Sequence, residues 1–210
     1  MTNLVKCVVV GDGFIGKTTL LMRLCKQELD EKYIPTIFDN HSITSVYNGQ
    51  TYQIVLIDTA GQEEYSMLRK QCYDSANIFL VCFAVSSTDA FSNVKQLWLP
   101  EIEEYSNASK ILVGTKSDLR KDPETIDNLN ASGKIFVSST VAKNFAKSHN
   151  MKYVECSAVT QDNVQEVLKT VLEVHSARSQ ESKKVISNPC CINPILQLAK
   201  RALCCKNNYV

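Results

Sequence analysis

Continuous apolar runs alternate along this chain with segments in which apolar residues recur at helical spacing. Six segments carry the pattern of β-strands, namely residues 5–10, 42–48, 51–57, 77–85, 110–115 and 152–156. Helical spacing is seen between them, as at Leu20, Leu21 and Leu24 within residues 19–27. Strands that alternate with helices predict an α/β domain built on a mostly parallel sheet.

The second and third predicted strands are joined by a tight turn. Asn48 and Gly49 stand between two strand patterns, and this pair favours a two-residue hairpin with antiparallel strands. The other connections are long and helical, which favours parallel pairing. We therefore predict a six-stranded mixed sheet with helices on both faces. Its ligand-binding loops should lie at the carboxyl ends of the strands.

The composition suits one well-buried domain followed by a tail. The chain has 210 residues, of which 44% are hydrophobic. We expect a domain at residues 1–178 and a tail at residues 179–210. No apolar run approaches the roughly 20 residues of a membrane span, and we expect no signal peptide. The five cysteines before the tail are scattered, which is typical of small buried side chains in a reducing compartment.

Residues 11–18 (GDGFIGKT) fit the phosphate-binding pattern G-x-x-x-x-G-K-[ST]. A strand pattern precedes them and a helical pattern follows, which is the context that such a loop requires. A plain glycine-rich turn would not need that context. Backbone N–H groups of the loop can bind phosphate oxygens, and the helix N-terminus adds partial positive charge. Lys17 can reach the β- and γ-phosphates, and the Thr18 hydroxyl can bind Mg²⁺.

Two segments that follow later strands indicate a guanine site. In residues 115–118 (TKSD), the Asp118 carboxylate can accept hydrogen bonds from N1–H and the exocyclic amine of guanine. Adenine lacks this donor pair, so such a site rejects it. The stem of Lys116 can lie along the purine face. Residues 155–158 (ECSA) can contact the guanine O6 through backbone N–H groups. Taken alone, residues 115–118 favour a solvated loop after a strand, and residues 155–158 are a weak signal.

Residues 58–63 (DTAGQE) follow the third predicted strand. Asp58 is predicted to lie in the Mg²⁺ shell through a water, and the Gly61 N–H to contact the γ-phosphate. Gln62 can orient the attacking water. With the three segments above, this order along the chain predicts a site that hydrolyses a guanine nucleotide.

On these motifs the chain resembles the small GTPases, and within them the Rho/Rac group, from about residue 4 to about residue 177. Further features of that group are residues 33–40 (YIPTIFDN) and TKSD in place of the commoner NKxD. A segment at 121–134 resembles the Rho insert, where Pro123 suits the start of a short helix and Gly133 its end. The resemblance implies the P-loop GTPase fold and binding of GTP or GDP with Mg²⁺.

The resemblance also implies roles for individual residues, including Thr36 at the Mg²⁺ and Tyr33 over the phosphates. Residues near 29–41 and 60–75 would form two switches. The predicted nucleotide-binding residues are Asp12, Gly13, Phe14, Ile15, Gly16, Lys17, Thr18, Thr19, Leu29, Tyr33, Thr36, Gly61, Thr115, Lys116, Asp118, Ser157 and Ala158. The predicted metal ligands are Thr18, Thr36 and Asp58, and the predicted catalytic residue is Gln62. The predicted contacts with effectors and regulators are Phe38, Asp39, Tyr65, Leu68 and Arg69.

These features together predict a molecular switch that hydrolyses GTP slowly. Its partners would be exchange factors, GTPase-activating proteins and effectors, with no nucleic acid, and the resemblance implies signalling to the actin cytoskeleton. No arginine is obviously placed to reach the γ-phosphate, so an activating protein would supply one. One alternative is a constitutively GTP-loaded binding module. Another is a phosphoryl-transfer enzyme such as a nucleotide kinase, which would need a second substrate pocket and a lid that the sequence does not indicate.

The tail differs from the domain in charge. Residues 182–210 contain five basic residues and no acidic ones, whereas residues 1–181 carry a net charge of −4. A basic tail of this kind favours an anionic membrane surface. Residues 195–203 have the apolar and basic faces of a short amphipathic helix.

Two cysteine pairs, Cys190-Cys191 and Cys204-Cys205, flank that pattern. The Rho/Rac group is expected to end in a prenylated C-a-a-X box, but this sequence ends CCKNNYV. We therefore predict that the pairs are palmitoylated and hold the protein on the cytoplasmic face of a membrane. Other interpretations are a disordered tail with free thiols, a zinc site, and a helix that binds a partner protein.

Leu29 generates a prediction about nucleotide exchange. The Rho-like pattern places phenylalanine here, packed across the guanine and ribose, and leucine recovers only part of the ~1–3 kcal/mol of aromatic–base stacking. A net loss of about 1 kcal/mol corresponds to roughly fivefold weaker binding, expressed mostly as faster release. Leu29→Phe should therefore slow the release of a fluorescent GDP measured by stopped flow. An unchanged release rate would show that another side chain fills the gap.

Overall fold

The computed structural model describes residues 3–27 and 38–187, with side chains up to residue 180. The chain divides into two units, Met1–His175 and Ser176–Val210. The predicted domain boundary after residue 178 stays a prediction. The cysteine pairs and the amphipathic pattern of the tail lie outside the described residues.

The described strands form one six-stranded sheet in the order β2-β3-β1-β4-β5-β6. Their bounds are β1 (Asn3–Val10), β2 (Phe38–Tyr47), β3 (Gln50–Thr59), β4 (Ile78–Ala84), β5 (Ser109–Thr115) and β6 (Lys152–Glu155). β2 pairs with β3 in antiparallel fashion, and every other neighbouring pair is parallel. The predicted mixed sheet is confirmed.

Helices separate the strands as the apolar spacing predicts. They are α1 (Lys17–Leu24), α2 (Ser66–Lys70), α3 (Thr88–Asn93), α4 (Leu99–Tyr105), α5 (Pro123–Ala131), α6 (Ser139–Ser148) and α7 (Val164–Ser187). Short 3₁₀ helices cover Glu63–Tyr65 and Ser117–Lys121, and a π-helical turn, Val94–Trp98, joins α3 to α4. Among the described helices, none is both long enough and apolar enough to cross a bilayer.

The core lies on both faces of the central strands. All seven residues of β4 are buried, and Val8, Val9 and Val10 of β1 are fully buried. Successive side chains of a strand point to opposite faces, so burial of every position requires packing on both sides. The helices therefore cover both faces of the sheet.

The hairpin between β2 and β3 turns at Asn48 and Gly49. Both residues have positive φ, 50° and 73°, as a type I′ turn requires. The antiparallel pairing extends to Phe38 opposite Thr59, so β2 begins at Phe38 rather than at residue 42 as predicted. Residues 38–41 show no apolar strand pattern of their own. Pairing with β3 supplies the backbone hydrogen bonds that hold them as a strand.

The segment between β5 and α6 contains the predicted short helix, α5. The Asp122 carboxylate accepts a hydrogen bond from the Thr125 N–H at 3.0 Å and caps the helix, and Pro123 is its first residue. Gly133 follows with a φ of 64°, the left-handed conformation that suits a helix end. No residue of α5 is buried, so this helix adds surface to the domain rather than core.

Candidate functional site

The loop of residues 11–16 turns from β1 into α1. Gly11 and Gly16 have φ values of 140° and 92°, and a side chain at Gly11 would overlap the Cys82 carbonyl oxygen. The loop borders a cleft that is open to solvent. The cleft is lined by Gly13, Phe14, Gly16, Lys17, Thr18, Thr19, Thr59, Ala60, Gly61 and Gln62. Two segments predicted separately, residues 11–18 and 58–63, thus meet at one cavity.

Lys17 lies beneath this loop. Its side chain is 6% exposed, and Nζ donates hydrogen bonds to the carbonyl oxygens of Gly11 at 2.8 Å and Asp12 at 2.7 Å. Burial lowers the pKa of Lys17, and the nearby carboxylate of Asp58 opposes that shift. A buried cation at the base of a cleft attracts an anionic ligand.

Thr18 lines the cleft and is hydrogen-bonded to Asp58. The Thr18 hydroxyl donates to Asp58 Oδ2 at 2.6 Å, and Asp58 is fully buried. Parallel pairing of β1 with β3 places Asp58 opposite Val9, two residues before the loop begins. Hydroxyl and carboxylate oxygens are the ligands that a hard divalent cation takes, so these two residues fit Mg²⁺.

Gly61 packs directly on the phosphate-binding loop. A Cβ at this position would lie 2.5 Å from Asp12 C, Gly11 O and Gly13 N, so only glycine allows this approach. Gln62 follows immediately and lines the cleft. The close contact between the two backbones therefore places the predicted catalytic side chain beside the loop.

Asp118 lies in the turn after β5 and has an unsatisfied carboxylate oxygen. Its Oδ1 is buried and accepts no hydrogen bond in the described part of the chain. A buried polar atom of this kind is costly and fits a ligand that brings N–H donors. Guanine offers such donors at N1 and the exocyclic amine, so the geometry suits the predicted base contact.

Lys116 connects this base turn with the phosphate-binding loop. Its backbone has a left-handed φ of 57°, and its Nζ donates to the Phe14 carbonyl oxygen at 2.8 Å. Its stem lies 3.7 Å from the position that a Cβ of Gly16 would occupy. Burial lowers the pKa of Lys116, and Asp118 opposes that shift. The base turn and the phosphate-binding loop are therefore adjacent.

The Ras family profile matches residues 6–176, which is most of the chain. The chain belongs to the Ras family. It is therefore a small GTPase with the P-loop GTPase fold, and members of this family in general bind guanine nucleotide with Mg²⁺ and hydrolyse GTP. Members of this family in general also interact with regulators and effectors.

Three side chains that were predicted to bind nucleotide are engaged elsewhere in this Ras-family domain. Thr115 is 3% exposed and donates to the carbonyl oxygens of Ile15 and Phe83. The Asp12 carboxylate accepts hydrogen bonds from side chains of the helical segment after β4. Ser157 is fully buried; its hydroxyl oxygen accepts a hydrogen bond from the Thr160 N–H at 3.1 Å, and its own N–H donates to the Asp162 carbonyl oxygen at 3.0 Å. These side chains support the loops, which leaves their neighbours to face the ligand.

Two other residues that were predicted to bind nucleotide accept hydrogen bonds within the domain through their main-chain carbonyl oxygens. Ile15 is 4% exposed, so its side chain belongs to the core while its carbonyl accepts the Thr115 hydrogen bond. The Ala158 carbonyl accepts a hydrogen bond from Arg23 Nε at 3.1 Å, which ties the ECSA segment to α1.

Arg69 was predicted to contact effectors or regulators, and the structure corrects this prediction. Its side chain is 2% exposed and forms a bidentate ion pair with Glu101, so it presents no surface to a partner. No local pattern indicates this ion pair, because Glu101 lies 32 residues further along the chain. Phe38 and Leu68 are 40% and 38% exposed, Asp39 is exposed, and Tyr65 is half-buried.

Three predicted residues, Leu29, Tyr33 and Thr36, lie outside the described residues, between α1 and β2. Their predicted contacts with base, phosphate and metal remain predictions.

Sequence reasoning missed a polar network that joins the two base-binding segments. Arg120, two residues after Asp118, pairs with Glu155, two residues before Ser157, with its Nη2 at 3.0 Å from Glu155 Oε2. Tyr153 and Ser139 also donate to Glu155 Oε2, at 2.7 and 2.8 Å. The only signal in the sequence is a basic residue just after the first motif and an acidic residue that begins the second.

Asp118→Asn should reduce the preference of the protein for guanine. Inosine lacks the exocyclic amine, so the ratio of GDP to IDP affinity reports the second hydrogen bond to the carboxylate. The wild type should bind GDP about tenfold or more tightly than IDP, because a charge-assisted hydrogen bond contributes ~1.5–3 kcal/mol. In the variant the two affinities should become nearly equal. Titration with labelled nucleotides measures both affinities. Asp127→Asn, on the exposed face of α5, is the matched control, and an unchanged ratio in Asp118→Asn would contradict the assignment.

Proposed function

We propose that this chain is a Rho-like GTPase that alternates between GTP- and GDP-bound states. It hydrolyses GTP to GDP and binds effectors when GTP-loaded, in signalling to the actin cytoskeleton. Thr18 and Asp58, with the predicted Thr36, would hold Mg²⁺, which neutralises phosphate charge when bound. The rest of the proposed chemistry belongs to side chains around the cleft.

The position of Gln62 is the observation that carries the hydrolytic part of this proposal. Gln62 lines the same cleft as Lys17 and Thr18, because Gly61 packs on the phosphate-binding loop. An amide side chain at that place can accept from and donate to a water molecule beside the γ-phosphate. Lys17 would hold the phosphate oxygens while Gln62 orients the water.

The Rho-like part of the proposal is supported by α5. This helix stands between the base turn and α6, is capped at both ends, and buries no residue in the core. Lys134, just after it, pairs with Asp89 of α3 at 2.7 Å. A helix that contributes no core is explained by contacts with other proteins rather than by the stability of the domain.

Exposed apolar side chains support the binding of effectors. Phe38 begins β2, and Met67 and Leu68 lie on α2, with exposed fractions of 40%, 81% and 38%. Large apolar side chains concentrated near a functional cleft are typical of interaction surfaces. Both segments belong to the predicted switches, so nucleotide state would alter this surface.

Three arginines of the described domain support a role for an activating protein. Arg23 is bound to the Ala158 carbonyl, Arg69 to Glu101, and Arg120 to Glu155. None of these three lines the cleft. An arginine from a partner would raise the rate by roughly 10³–10⁵.

Gln62→Leu should slow single-turnover GTP hydrolysis by at least tenfold and leave GTP and GDP affinities nearly unchanged, because Gln62 acts on water and not on the bound nucleotide. Release of phosphate measures the rate. Gln71→Leu, an exposed glutamine just after α2, is the matched control and should hydrolyse GTP like the wild type. A normal rate in Gln62→Leu would remove Gln62 from the catalytic role.

The alternative proposal is a constitutively GTP-loaded, fast-cycling binding module, which the leucine at position 29 favours. Bound nucleotide distinguishes the two. A hydrolysing switch should be purified with GDP and its Gln62→Leu variant with GTP, whereas the loaded module would carry GTP in both cases.

We also propose that the tail anchors the protein to the cytoplasmic face of a membrane. The support is its sequence, in which two cysteine pairs flank an amphipathic and basic segment. Two acyl chains plus basic charge provide the combination that stable anchoring requires.

Replacing Cys190, Cys191, Cys204 and Cys205 by serine should release the protein from membranes in its native cell, with GTP binding intact. Fractionation and nucleotide titration measure the two properties. Cys25→Ser, in the GTPase domain, is the control and should keep the wild-type distribution. A quadruple variant that stays on the membrane would favour the basic helix or a partner protein as the anchor.

A further inference from the structure

Arg69 is buried, and its guanidinium is held from two sides. Nε and Nη2 donate to the two carboxylate oxygens of Glu101, each at 2.8 Å, and Nη1 donates to the carbonyl oxygen of Gln62 at 2.8 Å. Glu101 is 8% exposed and also accepts from the Tyr73 hydroxyl at 2.7 Å. Every bond in this group has a defined direction, so the position of the guanidinium is fixed.

The charge states of this group are stable near neutral pH. Burial would raise the pKa of Glu101, but the hydrogen bonds from Arg69 and Tyr73 outweigh that effect and leave the pKa below its ordinary value. Burial and the Glu101 carboxylate both raise the pKa of Tyr73, so its hydroxyl remains a donor. A buried ion pair of this kind adds little net stability compared with apolar residues of the same volume, so stability alone does not explain it.

The local structure around Gln62 offers few other restraints. The 3₁₀ helix that follows has three residues and α2 has five, and helices this short are marginal alone. The Gln62 carbonyl also accepts a hydrogen bond from the Tyr65 N–H, at the longer distance of 3.3 Å. The contact of Gly61 with the phosphate-binding loop restrains the backbone just before Gln62. The hydrogen bond from Arg69 restrains the carbonyl group of Gln62 itself.

Arg69 is also coupled to the phosphate-binding loop. Its guanidinium carbon lies 4.8 Å from the centre of the Trp98 ring, and Trp98 Nε1 donates to Asp12 Oδ1 at 2.7 Å. Asn93 donates to the other oxygen of the same carboxylate at 2.7 Å. The π-helical turn makes this possible, because Asn93 and Trp98 are five residues apart and both reach Asp12.

We propose that Arg69 is a positioning residue for GTP hydrolysis: it fixes the backbone of Gln62 and, through Trp98 and Asp12, joins it to the phosphate-binding loop. This inference rests on the proposed role of Gln62. Arg69 touches neither water nor nucleotide and acts through the residue that does.

Arg69→Lys tests the proposal because lysine keeps the positive charge but not the planar set of donors. Single-turnover hydrolysis should fall about ten- to a hundredfold, the cost of misplacing a reacting group by about an ångström. GTP and GDP affinities should stay within about threefold of wild type, as a positioning role requires. Lys70→Met, which removes the neighbouring cation of α2, is the control for general damage to the helix. An unchanged hydrolysis rate in Arg69→Lys would overturn the proposal.

A double-variant cycle separates positioning from a merely structural role. In the Gln62→Leu background, Arg69→Lys should cause no further loss of hydrolysis, because the residue through which it acts is already gone. An equal loss in both backgrounds would overturn the proposal. If Gln62→Leu itself hydrolyses GTP normally, the proposed role of Gln62 fails; if it is slow while Arg69→Lys is normal, only this inference fails.

Trp98→Phe provides a second, milder variant. Phenylalanine keeps an aromatic ring against Arg69 and removes the N–H that binds Asp12. Hydrolysis should fall severalfold, again with unchanged nucleotide affinity, because the link to the phosphate-binding loop is lost. A wild-type rate in this variant, with the protein folded and nucleotide-bound, would overturn the coupling to the loop.

Discussion

The parallel register of β1 with its neighbours is the constraint on which the rest of this site depends. Val9 lies opposite Asp58 on one side and Leu80 on the other, so the loops after β1 and β3 emerge at the same level. A slip of one residue would turn every side chain of a strand to the other face of the sheet. Residues 7–10 of β1 and all seven residues of β4 are buried, so their packing against the helices on both faces opposes that slip.

Much of the fold could be predicted from the sequence because its signals are local. The turn at Asn48 and Gly49, the capped helix at α5 and the apolar runs of the strands each depend on neighbouring residues. The start of β2 was missed because its polar residues are held by pairing with β3. The π-helical turn was missed because apolar spacing does not distinguish it from an α-helix.

The candidate site was predictable by segment but not by side chain. Motifs identify the loops that surround the cleft, and the strand order brings these loops together. The destinations of Thr115, Asp12 and Arg69 depend on partners that are remote in the chain, namely Phe83, Trp98 and Glu101. Polar residues in a functional motif therefore divide between those that face the ligand and those that hold the loop, and only the packed structure separates them.

The ion pair between Arg120 and Glu155 has a mechanical consequence. It joins the turn that carries Asp118 to the segment that carries Ser157, and Arg120 also donates to the Val137 carbonyl at 2.7 Å. The two segments predicted to contact the purine are therefore tied to each other, and a displacement of either one is transmitted to the other. A partner that pulled on one of these segments alone would displace both.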